Sequence, residues 1–115
     1  MSNSLRFLAD KRDIFIGAAI NTNLLDDDSS YRNVAIDEFN MVVAENIMKW
    51  NHLRPKKDTF LFDEADKLVK FAQENRMAVR GHTLVWGARM PDWFNKLDKD
   101  GMVENIEKHI SNVAG

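Results

Sequence analysis

Two groups of polar and aromatic side chains have the residue types that hold a sugar. They are Glu45, Asn46 and Lys49 after one apolar run, and His82 and Trp86 along a later one. A carboxylate, an amide, an ammonium and an imidazole can jointly hydrogen-bond several hydroxyl groups. The face of an indole can pack on the C–H surface of a sugar ring. We therefore predict that these five residues line a carbohydrate site.

Other kinds of site lack their usual signals. The sequence has no GxGxxG turn, P-loop or GxSxG elbow, which argues against a phosphate site and a serine hydrolase. It has no cysteine, which excludes disulfides, thiolate metal sites and cysteine nucleophiles. His52, His82 and His109 lack the spacing of zinc ligands, so we expect no metal and no other cofactor.

Each candidate side chain also has a plainer interpretation. His82 by itself is typical of a hydrogen-bonded, partly buried histidine, and Trp86 is as consistent with packing as with binding. Glu45 and Lys49 are spaced as an i, i+4 pair on a helix. The binding interpretation is favoured because the polar groups follow two successive predicted strands.

The elements that position these residues alternate between strands and helices. Apolar runs predict strands at about 14–20, 40–45 and 78–86, each followed by a helical pattern. The first run is nearly continuous, which is typical of a strand buried on both faces. This order predicts an α/β fold with parallel strands, whose carboxyl ends meet at one edge of the sheet.

Capping and breaker residues set the expected limits of the helices. Ser4 can cap a first helix, and Asp63 can cap a later helix that ends at Asn75. Trp50 and Trp93 are expected to be packing residues. Further helices are predicted at 31–39 and 102–113, and loops at 21–30 and 87–97. Three consecutive aspartates at 26–28 indicate a solvated loop that leads into a helix N-terminus, with metal binding as the alternative.

The composition is that of one globular domain. The chain has 115 residues, 44% hydrophobic and 30% charged, with a net charge of −2 that argues against nucleic-acid binding. No signal peptide and no bilayer-spanning run is visible, so we expect no membrane partner. The expected location is the cytoplasm, or outside the cell for a secreted parent from which the signal has been removed.

Five stretches resemble the family 10 glycoside hydrolases, the endo-1,4-β-xylanases. Residues 40–50 (NMVVAENIMKW) are similar to the family's FNxVTAENEMKW signature, and residues 80–86 (RGHTLVW) to its RGHTLVWH signature. Residues 16–20 (IGAAI), 60–62 (FLF) and 91–93 (PDW) also fit in order and spacing. The resemblance covers almost the whole chain.

The resemblance implies the first three βα units of a TIM (β/α)8 barrel, so that residues 1–115 form a single partial domain. It implies hydrolysis of internal β-1,4-xylosidic bonds with retention, by two glutamates. In the family these glutamates belong to the fourth and seventh strands, so both are expected beyond residue 115 and no catalytic residue is assigned here. The fourth strand that should follow the last helix is missing.

The resemblance also implies the roles of the candidate residues. Glu45, Asn46 and Lys49 correspond to residues that bind xylose hydroxyls on the non-reducing side of the scissile bond. His82 and Trp86 correspond to residues that line the sugar subsite next to it. The expected partners are therefore xylan and xylooligosaccharides.

The chain departs from the family in two places. The family usually has His-Ser-Gln after the third-strand tryptophan, where this chain has Gly87, Ala88 and Arg89. Ile47 replaces the usual glutamate of the ENEMK motif, which should affect packing more than binding. A second interpretation is therefore a non-catalytic module that binds sugar or associates with itself. Open edges of an incomplete barrel should favour self-association.

Overall fold

The computed structural model describes residues 3–115, and its centre is a three-stranded parallel sheet. The strands are β1 (Gly17–Ile20), β2 (Met41–Ala44) and β3 (Ala78–Arg80), in the order β1-β2-β3. Ala18 pairs with Val42, and Val42 with Val79, which fixes the register of all three strands. The predicted α/β order with parallel strands is confirmed.

Within residues 3–115, seven α-helices and one 3-10 turn connect and extend the strands. The helices are α1 (Leu5–Lys11), α2 (Thr22–Asp27), α3 (Ser29–Glu38), α4 (Trp50–Leu53), α5 (Asp63–Glu74), α6 (Asp92–Asn95) and α7 (Lys99–Val113). The 3-10 turn is Gly87–Arg89. Among residues 3–115, no helix is long and apolar enough to cross a membrane.

The main core lies on one face of the sheet, under α2, α3 and α5. In α5, Ala65, Leu68 and Ala72 are buried at helical spacing, and Leu68 and Ala72 contact the face that carries Val42. The opposite face is largely open, since Gly17, Ala19 and Arg80 are exposed. The prediction of a first strand buried on both faces was wrong, because no second layer covers that face within residues 3–115.

The strands are shorter than predicted, and this changes the setting of the candidate site. β3 ends at Arg80, which pairs with Val43, and its partner strand β2 ends one residue later at Ala44. His82 and Trp86 therefore lie on a loop rather than on a strand. The peptide bond between His82 and Thr83 is cis.

Two of the three predicted helix-end residues, Ser4 and Asn75, are confirmed. The helices predicted at 31–39 and 102–113 begin earlier than expected, at Ser29 and Lys99. The Ser4 hydroxyl accepts from the Phe7 amide at 3.1 Å at the start of α1, and Asn75 caps the end of α5. Asp63 was wrongly predicted as the cap of α5, since Phe62 holds that position and Asp63 is the first helical residue. There its carboxylate still lies near the positive end of the helix dipole.

The two long predicted loops both contain short helices. The Asn21 side chain accepts from the Leu24 amide at 3.4 Å, and α2 then buries Leu25 in the main core. Asp28 caps α3 by accepting from Tyr31 N at 3.1 Å, so the carboxylate run does lead into a helix N-terminus. An N-cap and two buried residues, Thr22 and Leu25, stabilise a helix in a segment whose composition predicts a loop.

A second buried cluster joins α7 to α4 and its neighbouring segments. Arg54 and His109 are both fully buried there, and the His109 ring stacks on Trp50 with centroids 3.9 Å apart. Trp93 and Phe60 complete the cluster, each with its ring within 5 Å of the Arg54 guanidinium carbon. Packing was predicted for Trp50 and Trp93, but the buried Arg54 and His109 were not.

Candidate carbohydrate site

A tight turn after β2 positions the first group of candidate residues. The Glu45 amide donates to Ile20 O at 3.0 Å, which continues the sheet pairing by one residue. The Lys49 amide then donates to Asn46 O at 3.0 Å, and Lys49 precedes α4 as its N-cap. The chain therefore turns between Glu45 and Lys49, and the alternative interpretation of these residues as an i, i+4 pair on a helix is wrong.

Lys49 links the two groups of candidate residues. Its Nζ donates to Asn46 Oδ1 at 2.8 Å and lies 5.1 Å from the centre of the Trp86 ring. A cation at this distance from an indole face is attracted to it. The structure thus brings Asn46, Lys49 and Trp86 together although they come from different loops.

His82 and Trp86 line one cavity of about 260 Å³ together with Lys49, Thr83 and Val85. Both aromatic side chains face solvent, and Trp86 is 47% exposed. The interpretation of His82 as a partly buried structural histidine is therefore wrong. An exposed indole beside an ammonium and an imidazole is available to a ligand.

Glu45 belongs to a neighbouring cavity of about 260 Å³, which Asn46 also lines. Asn21, Asn23 and His52 contribute further polar groups to it. The five predicted residues are thus divided between two cavities that the Asn46–Lys49 hydrogen bond joins. Asn21 and Asn23 were not predicted, although Asn21 directly follows the carboxyl end of β1 and Asn23 comes two residues later.

Arg89 adds a second cation beside Trp86. Its guanidinium carbon lies 6.0 Å from the centre of the Trp86 ring, on the Gly87–Arg89 turn that follows it. The departure of the sequence from His-Ser-Gln therefore places a positive charge at the edge of the candidate site.

A larger cavity, of about 360 Å³, opens between β1 and α3. It is lined chiefly by apolar side chains such as Ala18, Val34 and Phe39, and Ile20 lines both this cavity and the cavity of Glu45. We place the site at the strand ends because several hydrogen-bonding groups converge there beside an exposed indole. Across residues 3–115, no three His, Asp or Glu side chains are grouped to hold a metal ion.

Comparison with known proteins identifies relatives along almost the whole chain. Endo-1,4-beta-xylanase B of Thermotoga neapolitana is 39% identical over 114 residues, which are 96% of this chain and 33% of that protein. The beta-1,4-xylanase of Dictyoglomus thermophilum is 41% identical over 85 residues, 74% of this chain and 24% of its own length. The chain spans about a third or less of the length of these relatives.

Solved structures of xylanases share the fold of this chain. Xylanase 10B from Thermotoga petrophila, crystallised in complex with xylobiose, matches 98% of this chain and 36% of its own, with a TM-score of 0.88 and 40% identity. The intracellular xylanase of Thermoanaerobacterium saccharolyticum matches 86% of this chain and 33% of its own, with a TM-score of 0.81 and 37% identity. The three strands and their helices are the first three βα units of a (β/α)8 barrel.

The family model described as glycosyl hydrolase family 10 matches residues 4–115. With the identities and the shared fold, this shows that the chain belongs to glycosyl hydrolase family 10.

Proposed function

We propose that the protein to which these residues belong hydrolyses internal β-1,4-xylosidic bonds of xylan, and that this chain supplies one wall of its sugar cleft. The observation that carries the proposal is the contact of Lys49 with both Asn46 and the exposed Trp86 ring. This contact joins a hydrogen-bonding pair to an aromatic surface, which is what a xylose ring requires. The relatives named above as xylanases support the same substrate.

Each residue has a distinct part in the proposed cleft. Trp86 provides the flat apolar surface, and Lys49 and Asn46 hydrogen-bond the sugar hydroxyls at its side. Glu45 holds the next sugar unit in the neighbouring cavity, and His82 donates or accepts at the cleavage end. The two catalytic glutamates that the family resemblance implies belong to later strands, so this chain binds and positions substrate without cutting it.

The first prediction concerns xylotriose binding by the 115-residue chain. Trp86→Ala should weaken binding about tenfold, because it removes the stacking surface and the partner of the Lys49 ammonium. Lys49→Ala should weaken it by a similar factor. Isothermal titration calorimetry with millimolar xylotriose measures both effects, and a reducing-sugar assay on xylan should show no turnover by the unmodified chain.

Matched controls separate the site from general effects of substitution. Phe15→Ala removes an aromatic ring that is 69% exposed, and Lys99→Ala removes an exposed lysine at the start of α7. Both variants should bind as the unmodified chain does. If the unmodified chain shows no binding, the alternative function is favoured, namely a barrel module without a sugar-binding role of its own.

We further propose that this chain associates with itself. Within residues 3–115 the outer edges of β1 and β3 have no strand partner, and Ile14 and Phe15 are 56% and 69% exposed beside the β1 edge. Unpaired edges next to apolar surface favour strand pairing between copies.

The second prediction is a concentration-dependent increase in mass during sedimentation equilibrium of the 115-residue chain. Phe15→Glu should shift this equilibrium toward the monomer, because it places a charge on the apolar surface beside the β1 edge. Leu61→Glu, at a side chain that is 51% exposed and away from both edges, is the control. A monomer at every concentration would contradict the proposal.

A further inference from the structure

Two cations lie beside the same exposed indole. Lys49 Nζ is 5.1 Å and Arg89 Cζ is 6.0 Å from the centre of the Trp86 ring. Trp86 is 47% exposed, and its neighbours His82 and Val85 are exposed as well. A ligand that stacks on this ring would therefore approach both positive charges directly.

Neither cation is neutralised by a carboxylate of the described chain. The ion pairs within 4.0 Å use Arg6, Lys67, Lys70 and Lys108 as their cations. No acidic residue lines the cavity beside Trp86, since Glu45 lies in the neighbouring one. Throughout residues 3–115, Lys49 and Arg89 thus have positive charge that is available to an anion.

A neutral sugar does not use this charge fully. Its hydroxyls need donors and acceptors, and the amide of a glutamine, which the family usually has at the position of Arg89, supplies both. A guanidinium supplies donors only, in a planar fork that matches the two oxygens of a carboxylate. The combination of an aromatic surface with two unpaired cations matches a sugar ring that bears an acid group.

We propose that the cavity beside Trp86 binds a xylooligosaccharide that carries a uronic acid, with Arg89 as the residue that recognises the carboxylate. This inference rests on the proposed function, because it takes the xylose backbone of the ligand from it. Lys49, on the turn after β2, adds electrostatic attraction to the carboxylate, and the sugar ring stacks on Trp86.

The experiment compares two oligosaccharides of equal backbone length, one neutral and one bearing a single glucuronic acid. Their affinities for the 115-residue chain are measured by titration of the Trp86 indole N–H signal in NMR spectra. The acidic ligand should bind at least about fivefold more tightly at low ionic strength, because a charge-assisted hydrogen bond is added. Its advantage should shrink near 1 M salt, where the screening length is about 3 Å.

Substitutions then test Arg89 itself. Arg89→Gln should remove most of the preference and leave only the weaker attraction of Lys49. Arg89→Lys should retain a larger part of the preference, and the exposed control Arg12→Gln should retain all of it. Equal affinities in the unmodified chain, or a preference that Arg89→Gln leaves undiminished, would overturn the inference.

The remaining outcomes separate this inference from the proposed function. If the neutral ligand binds and the acidic one has no advantage, only the uronic acid assignment fails. If neither ligand binds, both the assignment and the proposed function fail. If glucuronic acid alone binds as tightly as the acidic oligosaccharide, the site recognises a carboxylate without the xylose backbone, and the assignment to an oligosaccharide is overturned.

Discussion

Replacing Arg54 with methionine is expected to lower the free energy of unfolding by about 3 kcal/mol, a large part of the 5–15 kcal/mol that stabilises a typical domain. Arg54 is fully buried beneath α7. Methionine keeps much of the length and volume of the side chain and none of its donors. The effect therefore measures the hydrogen bonds of the guanidinium more than the loss of packing.

Those hydrogen bonds join the segment that contains Arg54 and Lys57 to α7. Arg54 Nε donates to Lys57 O at 2.8 Å, while Nη1 and Nη2 donate to Asn105 O at 3.1 Å and to Asn105 Oδ1 at 2.7 Å. Asn105 is 3% exposed, so its acceptors cannot turn to water when the guanidinium is removed. Each buried acceptor left without a donor costs about 1–3 kcal/mol.

The free-energy cost of burying the Arg54 cation opposes the stabilisation by its hydrogen bonds. This cost therefore limits how much stability the chain can lose on Arg54→Met. Burial lowers the pKa of Arg54 from its ordinary value, and the carboxylate of Asp58 offsets part of that change. The rings of Trp93 and Phe60, 4.8 Å and 4.9 Å from the guanidinium carbon, stabilise the charge further. A desolvation cost remains because the pKa of Arg54 stays lowered, and methionine avoids that cost. We still expect a net loss of stability, because the lost hydrogen bonds to the two buried acceptors of Asn105 outweigh this gain.

Urea unfolding followed by tryptophan fluorescence measures the difference. Arg12→Met, at an exposed arginine, should change stability by less than about 0.5 kcal/mol. The double variant Arg54→Met/Asn105→Leu removes both partners of these hydrogen bonds. Asn105→Leu should therefore lower the free energy of unfolding less in the Arg54→Met chain than in the unmodified chain. If the Arg54→Met chain is as stable as the unmodified chain, the buried cation makes no net contribution to the free energy of unfolding.

The sequence predicted the sheet and the helix that covers it because local and tertiary signals agree there. In α5 the apolar side chains Ala65, Leu68 and Ala72 recur at helical spacing, and the same side chains are buried. The end of β3 could not be predicted in this way. Residues 82–86 are apolar enough to be a strand, but a strand needs a partner, and β2 turns away after Ala44.

The sequence predicted which residues form the candidate site but not how they are arranged in space. The family resemblance pointed to Glu45, Asn46, Lys49, His82 and Trp86, and the strand order brings both groups to one edge of the sheet. The division into two cavities follows from the turn between Glu45 and Lys49, which composition does not reveal.

The buried cluster under α7 was missed for a physical reason. Arginine and histidine are typical surface residues, and nothing in the neighbouring sequence marks Arg54 or His109 as buried. Their burial depends on contacts between segments that are about 50 residues apart, such as Arg54 with Asn105. The three aromatic rings around Arg54 are likewise dispersed along the chain, at Trp50, Phe60 and Trp93.

Acidification is expected to weaken the attachment of α7 through His109. The imidazole is fully buried and stacks flat on Trp50, with ring planes 1° apart. Neither of its nitrogens has a hydrogen-bond partner within residues 3–115. The groups that face it are the rings of Trp50 and Phe60 and the guanidinium of Arg54. None of these can accept a proton or stabilise a second positive charge.

The direction of the pH effect follows from the two protonation states. Burial, and then the positive charge of Arg54, lower the pKa of His109 from 6.5 to about 4. Between these values the unfolded chain binds a proton that the folded chain does not, so stability falls as the pH drops through this range. At about 1.4 kcal/mol for each pH unit, the contribution lost on reaching pH 4 is about 3 kcal/mol.

His109→Phe isolates this contribution, because phenylalanine keeps a flat ring against Trp50 and cannot be protonated. Urea unfolding from pH 7 to pH 4 should show a clearly smaller loss of stability for His109→Phe than for the unmodified chain, since the carboxylates titrate in both. His52→Gln, at an exposed histidine, should follow the unmodified chain and is the matched control. Parallel curves for His109→Phe and the unmodified chain would show that His109 is protonated equally in both states, and that the stacked imidazole is not what makes the attachment of α7 sensitive to acid.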